Sequence, residues 1–325
     1  MSLAMVRAVG VACAALAFAD AVVAQNIPTI RFGRQTAAED NVWLMLAKPD
    51  LTPNLNKSYK IEWNQFRASD VAFKAYQGGQ VDLITTACNS VITAASKDDD
   101  IKDIARASRE TQAGARTQYL SKKDGGPAGV SDLKGKIVGI VGHRTSTELW
   151  ARMALKTGGL DPDKDVQWAV VPFASVGDAV RGDRIAVGAV PDLFAPTQLA
   201  KGDLKILFSS KTGMPFDEEL ICVSAEPGFL AKNGNAVRGF LSDLKSATSY
   251  LMANRDAARK ALLDAKLVQL PPDLYLSSPE YLRDPNLKID LANFAKQQDA
   301  LVQAGFIDKK VDLSKLVDSS FLPAQ

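Results

Sequence analysis

KIVGIVGHRTSTELWARMALKTGG, Lys136 to Gly159, holds a complete structural unit in one run. Lys136 to Gly142 is a β-branched and glycine stretch that reads as a buried strand. TSTELWARMALKTGG then has helical spacing and stops at Gly158 and Gly159. Thr145 and Glu148 stand in the S/T-x-x-E register of a capping box, which predicts where the helix begins. A strand that feeds a helix through a polar turn is a βα unit, and in open α/β sheets ligands bind at such turns. The turn here carries His143, the one histidine of the chain, followed by Arg144 and the hydroxyls of Thr145, Ser146 and Thr147.

The same grammar recurs on both sides. Upstream, IPTIRFGRQ (27–35) reads as a strand and TAAEDNVWLMLA (36–47) as a helix starting at Thr36, with Glu39 in capping register. KIEWN, SDVAFKAYQGG and VDLITTA follow as strand, helix and strand, and CNSVITAAS opens another helix at Cys88. Downstream, VQWAVVPF, ASVGDAVRGD and RIAVGAVP read as strand, helix and strand. Strands alternating with helices at this spacing predict parallel sheets, and two such series predict two α/β lobes. ARTQYLSKK (115–123) and the extended chain at 210–224 are the expected crossings between them. The expected division is therefore 25–118 for the first part of lobe one, 119–218 for lobe two, and 219–325 for the completion of lobe one with C-terminal helices. In that tail Val237, Phe240, Leu241, Leu244 and Leu251 share one helical face, and Leu291, Phe294, Leu301 and Val302 share another. KDDDIKD, around Asp98 to Asp100, reads as a solvated charge run.

Composition narrows the function. With 325 residues and 46% hydrophobic content the chain can fill two ordinary cores. Its 39 Lys and Arg against 37 Asp and Glu leave a net charge of +2, far from the basic excess of a nucleic-acid binder. Residues 1–24 read as a secretory signal peptide: Arg7, an apolar run from Ala8 to Ala19, and cleavage after Ala24, with Ala21 as the alternative site. No later run is apolar for long enough to span a bilayer, so an exported protein without stable membrane insertion is expected. Cys88 and Cys222 remain after cleavage. Pairing would need nearby Cα atoms that sequence does not reveal, and isolated cysteines behave as small hydrophobes, so buried free thiols are the default expectation.

Strand ends that feed helices define the candidate site: Arg34-Gln35-Thr36, Thr85 to Asn89, His143 to Ser146, and Pro191-Asp192. Unpaired N–H groups and helix dipoles at such turns favour an anion. Arg144 can clamp a carboxylate, sulfonate or phosphate through two hydrogen bonds, with Ser146 and Thr147 adding hydroxyls and Thr145 taken up in capping. Phe66 and Phe173 follow strands and are placed to wall a pocket, whereas Trp43, Trp63, Trp150 and Trp168 read first as core. His143 lacks a nucleophile motif and a metal-ligand set around it; its expected place is structural or in the cleft wall. No metal or cofactor motif is present, neither GxxxxGK[ST] nor GxGxxG.

RFGRQ, KIEWNQFRASDVAFKAYQGGQVDLITTA, SDLKGKIVGIVGHRTSTELWARMAL, AVRGDRIAVGAVPDLFAPTQ and the closing VDLSKLVDSSFLPAQ occur in an order and spacing that resembles the periplasmic substrate-binding proteins of ABC importers, of the nitrate, sulfonate and taurine type. The resemblance covers essentially the whole mature chain. It implies a two-lobed periplasmic-binding-protein fold with two crossover hinges, a small organic anion held in the interlobe cleft, and delivery to a membrane permease from the periplasm; a monomer is the expected state, though sequence does not fix it. The implied ligand loops hold Gln35 and Thr36, Asn64 to Phe66, Thr86, Ala87 and Asn89, Arg144 to Thr147, and Pro191 to Asp192. Where relatives often read glutamate-proline, this chain reads Val190-Pro191-Asp192, and an acid there could pair with Arg144 or take a ligand's amino group. Related proteins include thiamine-precursor binders and pyrimidine-synthesising enzymes; the cysteine-rich segment of those enzymes is absent. The alternative function is a secreted two-domain enzyme acting on a small anion, with Asp192 or Glu39 as acid or base.

Overall fold

The computed structural model describes residues 27–324; the signal peptide expected over 1–24 lies outside the described residues. One mixed sheet is built from β1 (Thr29–Arg34), β2 (Lys60–Gln65), β3 (Leu83–Ala87), β4 (Lys102–Glu110) and β10 (Glu218–Ala225), ordered β2-β1-β3-β10-β4. The other comprises β5 (Thr117–Lys122), β6 (Ile137–Ile140), β7 (Gln167–Val170), β8 (Val187–Pro191) and β9 (Leu204–Ser209), ordered β7-β6-β8-β5-β9. The helices are α1 (Asp40–Ala47), α2 (Ser69–Gln77), α3 (Cys88–Ala95), α4 (Ser146–Thr157), α5 (Val176–Arg181), α6 (Ala195–Leu199) and α7 (Ser210–Gly213). Then come α8 (Pro227–Ala253), α9 (Arg255–Asp264), α10 (Pro272–Ser277), α11 (Leu291–Gln303) and α12 (Leu313–Leu316). No described helix is long and apolar enough to cross a membrane.

The parallel expectation holds for part of each sheet only. β1 runs parallel to β2 and β3, and β6 parallel to β7 and β8, but β10 is antiparallel to β3 and β4, and β5 antiparallel to β8 and β9. The exceptional strands are the ones that follow a crossing between sheets. Chain leaving β4 at its C-terminal end arrives at the same edge of the other sheet, and a strand starting there must run the opposite way. The segment 115–123, expected as a connector, thus supplies the inner strand β5, and the sheet-to-sheet passages are the short stretches 111–116 and 214–217.

Packing explains the remaining departures. Cys88 and Cys222 form a disulfide with Cα atoms 5.2 Å apart, which corrects the free-thiol expectation. β3 and β10 are neighbours with Thr86 opposite Cys222, so residue 88 lies at hand across 134 positions of sequence. Lys102 and Asp103 enter β4, and Asp103 is fully buried and accepts from the Ser224 hydroxyl, so the charge run is solvated only as far as Asp100. Val237, Phe240, Leu241, Leu244 and Leu251 of α8 are buried as their spacing predicts, with Phe240 between Phe32 and Tyr59. Of the four apolar α11 residues expected to share a face, only Phe294 and Leu301 are buried; Leu291 opens the helix and Val302 turns past the packing face, leaving 44% and 37% exposed.

Candidate ligand-binding cleft

Between the two sheets lies a cavity of about 500 Å³ including its open mouth. The first lobe lines it with Gln35 to Ala38, Arg67 to Ser69, Ala87, Leu220, Ile221 and Tyr281. The second contributes Thr117, Val141, Thr145 to Thr147, Trp150, Phe173 and Pro191. Of the sequence-predicted residues, Gln35, Thr36, Ala87, Thr145, Ser146, Thr147 and Phe173 therefore meet here.

The two principal loops are built alike. Each follows the middle strand of a parallel trio, β1 or β6, and each places one non-glycine residue in the left-handed region just before a helix cap: Ala38 at φ 66° and Arg144 at φ 60°. Such a residue costs about 1 kcal/mol, held by its surroundings. In both loops a glutamate folds back to hold the turn. Glu39 Oε1 accepts from the Gln35 amide and Glu148 Oε2 from the Arg144 amide, each at 2.7 Å.

This arrangement corrects both capping-box expectations. The first helix starts at Asp40, not Thr36, because Ala38 cannot be helical at positive φ. At α4 the Thr145 side chain makes no cap bond; its hydroxyl donates to the Gly142 carbonyl at 2.8 Å. Thr147 Oγ1 accepts from the Val141 amide at 3.1 Å. The first N–H groups of α4, at Ser146 and Thr147, lie at the cavity wall without an intrahelical acceptor, since no turn precedes them.

Several predicted residues lie elsewhere. Arg144 is turned out of the cleft: Nη1 donates to the carbonyls of Gly305 at 3.2 Å and Phe306 at 2.8 Å, beyond the C-terminus of α11. Those carbonyls lack helical partners and attract the cation. His143 points to solvent, its side chain 60% exposed, with Glu148 3.6 Å away. Asn64 sits on the edge strand β2. Phe66 packs over Gly33, where a Cβ would meet its ring at 2.8 Å. Thr86 is buried inside the sheet. Asn89 lies behind the wall as a bridge, donating to Ser146 Oγ at 3.1 Å and accepting from Gln297 Nε2 at 3.0 Å. Asp192 neither pairs with Arg144 nor lines the cavity; it accepts from the Arg116 amide at 2.9 Å and Gln118 Nε2 at 3.1 Å, tying down a crossing.

Sequence reasoning missed Arg67, Tyr281, Leu220 and Ile221. Arg67 follows the β2 end by two positions, which was a usable signal; Nη1 spans the lobes to the Val141 carbonyl at 2.7 Å. Tyr281 lies in an irregular segment with no local signature, and the two hydrophobes of β10 become cleft residues only through its antiparallel insertion. Trp150 is core, as expected, and lines the cavity as well, since it is 2% exposed yet faces the cleft. Its Nε1 donates to Glu218 Oε1 at 2.7 Å, and Lys211 Nζ reaches Glu218 Oε2 at 3.0 Å. Glu110 joins this group through Ser210, Thr117 and Lys211; burial drives its carboxyl upward and Lys211 opposes that. Glu39, also fully buried, is pushed up to about 7 by desolvation, partly opposed by hydrogen bonds including that from Trp43 Nε1 at 2.8 Å.

Two α/β lobes, linked by two crossings and enclosing a cavity walled by helix starts, define a periplasmic-binding-protein fold. The chain belongs to the family described as NMT1/THI5 like, whose model matches residues 61–258. Solved structures agree on the fold. The periplasmic aliphatic sulphonate binding protein SsuA of Escherichia coli is 21% identical, with 89% of this chain and 92% of that chain covered at a TM-score of 0.69. The alkanesulfonate-binding SsuA of Xanthomonas axonopodis pv. citri, solved with MOPS, is 18% identical over 89% and 98% at 0.73. The periplasmic nitrate-binding protein NrtA of Synechocystis PCC 6803 is 12% identical over 91% and 87% at 0.70. No curated protein sequence matches the chain.

Proposed function

We propose that this chain is the substrate-binding component of an ABC importer, capturing a small organic anion of sulfonate, taurine-like or carboxylate type and presenting it to a permease on the periplasmic face. The observation that carries this is the composition of the cleft. Its walls combine the first turn of α4 and Arg67 with apolar Trp150, Phe173, Leu220 and Ile221, and among the described residues no carboxylate lines it. The free N–H groups at the α4 start and the positive charge of Arg67 beside a cavity otherwise poor in charge suit an anionic head on an apolar body. Closure of the lobes would exclude water and be the signal that the transporter reads. The sulfonate- and nitrate-binding proteins that share the fold support this class of ligand.

The enzyme alternative is disfavoured by the two acids it would need. Glu39 is directed at Gln35 and Trp43, and Asp192 at Arg116 and Gln118, so neither lines the cavity. The test is isothermal titration of protein unfolded and refolded to strip carried ligand, against alkanesulfonates, taurine, nitrate and carboxylates. Saturable binding without turnover by mass spectrometry is expected. Absence of binding across the panel overturns the assignment.

A further inference from the structure

A second cavity, of about 840 Å³ including its open mouth, adjoins the first. Arg34, Trp43 and Gln65 line it from the first lobe and Leu193 and Phe194 from the second, with the segment 266–270 completing the wall. Thr36 belongs to both cavities. Phe173 of the first and Phe194 of the second pack ring to ring, centroids 5.8 Å apart, so a continuous aromatic wall passes from one to the other.

Arg34 is the feature that needs explaining. It closes β1, is half-buried, and among the described residues its guanidinium has neither an ion pair nor a hydrogen bond; Nε is buried outright with no partner. Arg31 on the same strand shows the ordinary solution, donating from Nε and Nη2 to the two oxygens of Asp82 at 3.1 and 2.5 Å. A cation withdrawn from water without a counter-charge is unfavourable unless something else supplies one. Glu39 is the nearby acid, but its Oε1 is taken by Gln35 and Trp43, and burial holds its carboxyl at about 7, so it offsets Arg34 only in part. Lys266 also lines the second cavity, and among the described residues no acid does.

We propose that the second cavity is a subsite for a second anionic group, and that the ligand is an elongated organic dianion whose apolar middle lies along Phe173 and Phe194 between the α4 end and Arg34. The inference rests on reading the first cavity as an anion site. It adds the requirement for charge at both ends.

Two experiments on the full mature chain test it. Titration with linear dicarboxylates from butanedioate to decanedioate, each beside the monocarboxylate of equal chain length, should show one length at which the diacid binds at least about tenfold tighter. Arg34→Met should remove that preference while leaving monoacid binding within about twofold. Equal affinity for diacids and monoacids in the wild type, or failure of every diacid to bind, overturns the elongated ligand without recourse to the variant. Crystals soaked in selenate should show an anomalous peak within hydrogen-bonding distance of the Arg34 guanidinium. No peak at Arg34 overturns the subsite, whether or not the α4 end is occupied. A peak at Arg34 with none at α4 supports the subsite and instead overturns the reading of the first cavity.

Discussion

Arg144 Nη1 donates to the Phe306 carbonyl at 2.8 Å, and the guanidinium stands 5.0 Å from the ring centroid of the same residue. The contact joins the lobe-two loop before α4 to the end of α11 on lobe one. Lys156 of α4 does likewise, donating from Nζ to the Gln303 carbonyl at 2.5 Å. Cations are favoured at a helix C-terminus, so this is a brace between the lobes placed outside the ligand cavity.

Arg144→Ala should therefore weaken closure and leave the cavity wall intact. Loss of charge-assisted bonds worth about 1.5–3 kcal/mol should lower ligand affinity about tenfold or more through the cost of closing. Double electron–electron resonance between labels on the two lobes should show a longer distance in the unliganded variant. Unchanged distance and affinity together would make the contact incidental.

The Cys88–Cys222 bridge closes a loop across 134 positions of sequence, and both sulfurs are buried. The double variant Cys88→Ser with Cys222→Ser should lose about 5 kcal/mol of stability, by the loop-closure argument. Calorimetry should register a fall in Tm of roughly 10 °C. Mild reductant should leave the bridge intact until the protein unfolds, as thiol labelling under increasing urea would report.

Glu39 sets a pH dependence. Its folded-state carboxyl, held at about 7 by burial, titrates above its ordinary value of 4.5, so the folded form binds the proton more tightly than the unfolded chain. Its contribution is full below the ordinary value and is lost as pH rises through about 7. Between pH 5 and 8 the stability difference between wild type and Glu39→Gln should shift against the wild type by on the order of 3 kcal/mol, read from urea titrations. A pH-independent difference would mean that the carboxylate is ionised throughout.

Trp150 lines the cavity and donates to Glu218 across the lobes. Ligand binding should alter tryptophan emission, and Trp150→Phe should abolish most of the change while retaining binding by titration. A full signal in that variant would place the reporter at another tryptophan.

Much of this protein was legible in its sequence, and the limits are physical. Periodicity located β1, β3, β6 and β8 and the helices α2, α3 and α4, because each is specified by local spacing and by glycine or polar stops. The same logic placed Gln35, Thr36, Ala87, Thr145, Ser146 and Thr147 at helix-feeding turns and Phe173 just after a strand, and all seven line the cavity. Local spacing could not show which way a side chain leaves such a turn. Arg144 and Thr145 are neighbours, yet a left-handed φ at Arg144 sends its guanidinium to Phe306 while Thr145 faces the cleft. Position along the chain was also silent about long-range partners: the inner places of β5 and β10, the meeting of Cys88 with Cys222, and the arrival of Tyr281 in the cleft depend on contacts between distant segments. Sequence by itself determined two α/β series and the turns where a ligand could bind. The direction of the crossing strands, the disulfide, and the choice of Arg67 over Arg144 as the cleft arginine were decided only by the tertiary structure, within the first sheet for the disulfide and between the lobes for Arg67, because each depends on atoms that the chain brings from far apart.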